Sequence, residues 1–110
     1  MTDLPPQQVQ CIAEVIYAEA RGESIIGQRA VGHVILNRSR RNGRTPCQVI
    51  ARPNQFHRVR VNYASEAWRV AQRLARNLGE DITLGALYFN PGSVRRYTYT
   101  VTIGNHRFYK

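Results

Sequence analysis

Lysine is nearly missing from this chain: Lys110 is the only one, and fifteen arginines supply the rest of the sixteen basic residues. Acid is scarce as well, with seven Asp and Glu in total, so the formal net charge is +9. That balance points to a polyanionic partner, and the planar guanidinium fork suits bidentate contact with phosphate and carboxylate. Nucleic acid, anionic envelope polymers and lipopolysaccharide all fit the charge, and so does an arginine bias inherited from the codon composition of the source genome. Composition does not choose among them.

Long apolar runs are also absent. Nothing approaches the ~20 residues of a membrane span, and MTDLPPQQVQ has neither the basic region nor the apolar core of a signal peptide, so no membrane span and no export signal are expected. Cysteine is limited to Cys11 and Cys47, and neither has a second Cys or His at ligand spacing, which argues against zinc and haem; no metal and no cofactor are expected. A disulfide between the two and a pair of free thiols both remain open. Internal repeats and low-complexity tracts are missing too. What is present is globular composition, 43% hydrophobic and 21% charged, in 110 residues, enough for one domain with its own core. The whole chain, 1–110, is expected to be one domain and a monomer.

The pattern along the chain changes once. Val9, Ile12, Ala13, Ile16 and Ala20 follow helical spacing after Pro5-Pro6, which predicts a helix over 7–20 that Gly22 breaks. Ser24 is placed to cap a second helix with Ile26, Ala30, Val31, Val34 and Ile35 on its apolar face. RSRRNGR reads as a loop, and Thr45-Pro46 as the cap and first turn of a short helix through Ala51. Residues 52–62 show no period. Ser65 caps a fourth helix carrying Ala67, Trp68, Ala71, Leu74, Ala75 and Leu78, ended by Gly79. After that, YTYTVTI, Gly104-Asn105 and HRFY predict a β-hairpin, with GALYF as a third strand or an extended lead-in. The fold class is α+β, helices first and a small antiparallel sheet last.

Few side chains qualify for chemistry. No histidine stands beside a serine or cysteine in a nucleophile motif, so serine and cysteine hydrolase mechanisms are disfavoured. Glu19 is the exception, because it lies three residues after Ile16 and seven after Ile12, along the apolar stripe and not opposite it. A carboxyl group placed there loses hydration, which favours the protonated form that a general acid needs. The plainer alternative is a structural ion pair with Arg21, Arg29 or Arg38. Glu23, beside Gly22, is accounted for by the dipole of the second helix, as Glu66 is by the fourth, and Glu80 and Asp81 follow Gly79 in a polar loop.

Four blocks, CIAEVIYAEARGESIIGQRAVGHVILNR, PNQF, GALYF and IGNHRFY, together resemble the catalytic domain of the spore cortex-lytic cell wall hydrolases, over roughly residues 11–109 and in the family's order. The resemblance implies a lysozyme-like fold that cleaves peptidoglycan glycan strands, with Glu19 as the single catalytic acid in the manner of lytic transglycosylases. It also implies that Gln55 and Phe56, then Tyr88, then His106 with Phe108 and Tyr109, line or support the glycan groove. The chain departs from the family after Phe56, where it has His57-Arg58-Val59-Arg60, and after GALYF, where Arg95-Arg96-Tyr97 leaves the stacking role to Tyr97.

These readings predict a peptidoglycan lytic transglycosylase acting on the bacterial wall and concentrated on anionic polymers by arginines such as Arg40, Arg41, Arg44, Arg95 and Arg96. Without an export signal it reads as a phage-type or virion-borne lysin, or as the trimmed form of an exported precursor. Two rivals stand beside it: a two-carboxylate muramidase of the same fold with Glu23 or Asp81 as the partner, and a small arginine-rich nucleic-acid-binding protein, for which charge alone speaks.

Overall fold

In the computed structural model, which describes residues 2–53, 56 and 59–110, four helices precede three short strands. The helices are α1 (Pro6–Ala20), α2 (Ile25–Asn42), α3 (Pro46–Ala51) and α4 (Glu66–Arg76); the strands are β1 (Tyr88–Asn90), β2 (Tyr99–Ile103) and β3 (His106–Tyr109). The α+β expectation holds. None of the helices among the described residues is long and apolar enough to cross a membrane.

Local signals account for most helix starts. Pro6 occupies the first turn of α1, where a missing N–H costs nothing. The Ser24 hydroxyl accepts from the Gly27 amide (3.1 Å) and the Ser65 hydroxyl from the Trp68 amide (3.1 Å). Thr45 and Gln48 form a reciprocal capping box at the start of α3. Two helix ends differ from the sequence reading. RSRRNGR is not a loop but the last turns of α2, which runs to Asn42 and is closed by Gly43 in a left-handed conformation (φ 64°). Arginine is a strong helix former, and Arg40 and Arg41 in the last turn complement the helix dipole, so the helix continues until glycine stops it. α4 ends earlier than expected, at Arg76 with Asn77 as its cap, yet Leu78 beyond it is still buried.

Leu78 reaches α2 at Gly32, where an added Cβ would stand 2.6 Å from its Cδ2, so glycine there is what admits the leucine. α2 is thus packed on two sides. Val31 and Ile35 join Ile12, Ile16, Trp68 and Leu74 in the main core, while Ala30 and Val34 face Ala86 and Phe108 under the sheet. In the sheet β3 is central, with order β1-β3-β2 and both pairings antiparallel, so the GALYF segment does form a strand and pairs with the last strand of the chain.

Cys11 of α1 and Cys47 of α3 form a disulfide, with their Cα atoms 5.2 Å apart and 36 residues apart in sequence. Closing a loop of that length restricts the unfolded chain by on the order of 3 kcal/mol. Reduction should therefore lower Tm by about 10–20 °C, as a thermal melt with and without dithiothreitol will show; identical melts would mean that the two thiols are unpaired in solution.

Candidate active site

Glu19 lies in the last turn of α1 and is half-buried, at the edge of the stripe that Ile12, Ile16 and Ala20 bury completely. The helix end is held in place. Tyr17 is buried, its hydroxyl accepts from the Asn62 amide (3.2 Å), and the Arg21 guanidinium covers its ring at 4.6 Å. Gly22 then turns the chain with φ 90°. Ala18, one residue before Glu19, lines a groove of about 460 Å³ together with Glu14, Val15, Ile50, Phe56, Arg60 and Tyr63, and Glu19 itself is not part of that lining. On the other side of Glu19, Glu23 grips the hairpin turn that leads into His106. Glu19 is therefore bracketed along the chain by one residue on the Phe56 groove and one at the hairpin.

Glu23 does not cap α2, which Ser24 does. Its carboxylate accepts from the Asn105 side-chain amide (2.8 Å) and backbone amide (3.2 Å), and these bonds hold its pKa below the ordinary value. Gly104 is needed for the contact: a Cβ there would come within 2.5 Å of Glu23 Oε1, and its φ is 59°. Asp81 is committed in a similar way. It accepts from Asn37 Nδ2 (2.9 Å), the Thr83 amide (2.8 Å) and hydroxyl (2.6 Å), and the Gly85 amide (3.0 Å). Burial works to raise the Asp81 pKa, but the bonds from Thr83 and Asn37 outweigh it and the pKa falls below the ordinary value. Both carboxylates thus favour the ionised state and have their oxygens occupied by the scaffold.

Four of the residues expected at a glycan groove are linked by ring contacts. Tyr88 and Tyr97 stack at 4.1 Å with 12° between their planes. The Arg38 guanidinium lies over Tyr88 (4.6 Å) and over Phe56 (5.0 Å), and its Nε donates to the Leu87 carbonyl. Phe56 meets Phe89 at 6.3 Å, and Phe89 meets His106 edge-on at 5.1 Å. The resulting aromatic surface runs Tyr97, Tyr88, Arg38, Phe56, Phe89, His106 and wraps the β1 edge of the sheet, since Tyr88 and Phe89 are consecutive strand residues that point to opposite sides. His106 Nδ1 is buried on it without a hydrogen bond among the described residues. Phe108 and Tyr109 are buried on opposite sides of β3, Phe108 against Phe89 and His106 and Tyr109 against Tyr99. Tyr109 also fixes the approach to Tyr97, donating to the Gly92 carbonyl (2.9 Å) and accepting from the Val94 amide (3.2 Å). Gln55, with Asn54, His57 and Arg58, lies outside the described residues.

Arg38 and Phe89 join this face without having been singled out for it. Phe89 is the last letter of GALYF, and Arg38 was weighed only as a partner for Glu19. The signal for Arg38 was its helical spacing from Val34, which the mistaken loop assignment concealed. Among the described residues no group of three His, Cys, Asp or Glu side chains comes together in a way that could hold a metal.

Comparison with known proteins bears on the family and the fold. Residues 22–109 match the family model described as Cell Wall Hydrolase. The catalytic domain of the germination-specific lytic transglycosylase SleB from Bacillus anthracis is 28% identical, with a TM-score of 0.76 over all of this chain and 99% of that one. The catalytic domain of the Bacillus cereus SleB protein is 31% identical, also with a TM-score of 0.76, over all of this chain and 94% of that one. No curated protein sequence matches. With four-fifths of its length inside the family model and its fold shared throughout with both catalytic domains, the chain belongs to the cell wall hydrolase family, as an enzyme of lysozyme-like fold.

Proposed function

We propose that the protein cuts the glycan strand of peptidoglycan as a lytic transglycosylase, with Glu19 as its single catalytic acid and base. The observation that carries the reading is that the two other candidate carboxylates are already committed to the scaffold. Glu23 and Asp81, the two candidates for a second catalytic group, have their oxygens bound by Asn105 and by Asn37, Thr83 and Gly85, and Glu19 ends α1 one residue after Ala18 of the Phe56 groove. Glycosidases that consume water normally need two carboxylates, and one acid suffices when the substrate supplies its own nucleophile. Protonated Glu19 gives its proton to the glycosidic oxygen as the C1–O bond breaks. The ionised carboxylate then takes the proton of the muramic acid 6-hydroxyl as that oxygen bonds to C1. No water is consumed and Glu19 ends protonated. Phe56, Tyr88, Tyr97 and His106 hold the sugar rings, with Gln55 as a further contact, and the resemblance of the whole chain to a lytic transglycosylase domain supports the same chemistry.

The place of action in this reading is the bacterial wall, reached as a phage-type lysin, as a virion-borne lysin or after export, with residues 1–110 working as one monomeric catalytic unit. Arg40, Arg41, Arg44, Arg95 and Arg96 are all exposed and would draw the protein to anionic envelope polymers. A turbidity assay on purified sacculi tests both parts. Turbidity should fall without new free amino groups, since no peptide bond is cut, and the appearance of amines would contradict glycan cleavage. Binding to sacculi should weaken steeply as salt rises past ~0.1 M, where the Debye length is ~10 Å, while cleavage of short soluble glycans should change much less. If neutralising the five arginines left that salt response unchanged, they would have no part in adsorption.

A further inference from the structure

The extension of α2 through Asn42 has a consequence at the far end of the aromatic face. Arg38 and Arg41 leave the last turns of α2, Gly43 reverses the chain, and the Ser39 hydroxyl bonds to the Arg44 carbonyl, holding Arg44 beside them. α3 then ends at Ala51, and Arg52, which follows it, returns to the same place. These four arginines line one cavity of about 180 Å³, closed by Asn42, Val49, Leu87 and Tyr88. Its described lining contains no carboxylate. Four like charges crowd the space, and after burial and the opposing influence of the tyrosines, repulsion from Arg52 helps to pull the Arg38 pKa below its ordinary value. Tyr88 belongs both to this cavity and to the Tyr97 stack.

We propose that the cavity formed by Arg38, Arg41, Arg44, Arg52 and Tyr88 is a carboxylate-binding subsite that receives the peptide stem of the glycan strand lying on the aromatic face. This rests on the glycan-cleaving reading. Each muramic acid carries a stem with several carboxylates on its lactyl group, so a strand held against Tyr88 and Tyr97 presents an anionic branch beside the saccharide. Guanidinium groups bind carboxylates bidentately, and three of the four, on Arg41, Arg44 and Arg52, are exposed at the rim where a branch can reach them. The volume suits a carboxylate with its neighbouring carbons, and not the backbone of an anionic polymer passing through. The shared Tyr88 also ties the cavity to the glycan face, whereas Arg40, Arg95 and Arg96 lie outside its lining.

The test compares soluble glycan strands bearing native stems with the same strands after their stem carboxylates are converted to amides, at about 0.5 M salt so that exposed long-range attraction is screened. Wild-type protein should show a kcat/KM about tenfold higher on the native strands, carried by KM. The variant Arg41→Gln/Arg44→Gln/Arg52→Gln should treat both substrates alike, and Arg52→Gln alone should show part of the loss. Absence of any preference in the wild type, or its persistence in the triple variant, would overturn the proposal. Equal losses on both substrates would do so as well, by showing a general role in folding or attraction. A calorimetric titration with soluble muramoyl tripeptide runs beside the kinetics: binding by the wild type and not by the triple variant supports the subsite, and no binding, or displacement only by polyglycerol phosphate, contradicts it. If the wild type cuts neither strand, the glycan-cleaving reading falls, and the titration still decides whether the cavity binds stems.

Discussion

Glu19→Gln should abolish the lysis of sacculi while leaving the fold unchanged. The substitution keeps the shape of a half-buried side chain at the end of α1 and removes only the transferable proton, so the loss should be at least ~100-fold in rate. An unchanged Tm and circular dichroism spectrum identify the loss as chemical. Glu23→Gln is the informative control, because Glu23 is also a glutamate of the same motif but accepts two hydrogen bonds from Asn105. Its replacement should loosen the hairpin turn and cost far less activity. The reverse ranking, with Glu23 indispensable and Glu19 replaceable, would place the chemistry on the wrong residue.

The second large effect is on stability. Asp81→Ala should destabilise the protein by about 3 kcal/mol, because it leaves the Asn37 amide, the Thr83 amide and hydroxyl, and the Gly85 amide without their common acceptor in a partly buried turn. Asp81→Asn should be milder and should keep most of the activity per folded molecule; loss of activity without loss of stability would make Asp81 the second catalytic carboxylate of a muramidase. The pH dependence has a definite sign. The pKa of Asp81 is lowered in the folded state, so its ionised form stabilises the protein fully above the unfolded value of about 4 and that contribution disappears as pH falls through the folded pKa. Asn at this position should remove that part of the acid sensitivity, and chemical denaturation across the acid range will measure it.

The features that could be read in the sequence were those that nearest neighbours determine. The stripe Val9, Ile12, Ala13, Ile16, Ala20 is buried as its spacing requires, and Ser24, Thr45 and Ser65 cap the helices they precede. The hairpin around Gly104-Asn105 followed from alternation and turn chemistry. Errors arose where local preferences compete or where distant segments meet. In RSRRNGR, serine, asparagine and glycine suggest a loop, but three arginines and a helix already under way prevail up to Gly43. Gly79 looked like the end of α4, though the chain leaves the helix at Asn77 to place Leu78 against Gly32. For the proposed site, Glu19 and the aromatic residues rest on a resemblance of whole blocks. The employment of Glu23 by Asn105, 82 residues away, and of Asp81 by Asn37, 44 away, was not legible, because nothing local encodes either contact.

Mass spectrometry of the muropeptides released from purified peptidoglycan tests the central claim most directly. Capture of C1 by the 6-hydroxyl predicts fragments ending in 1,6-anhydromuramic acid, each lighter by one water than the corresponding muramidase product and resistant to borohydride reduction at that end. A digest dominated by reducible muramic acid ends would contradict the single-acid mechanism and require a second catalytic carboxylate.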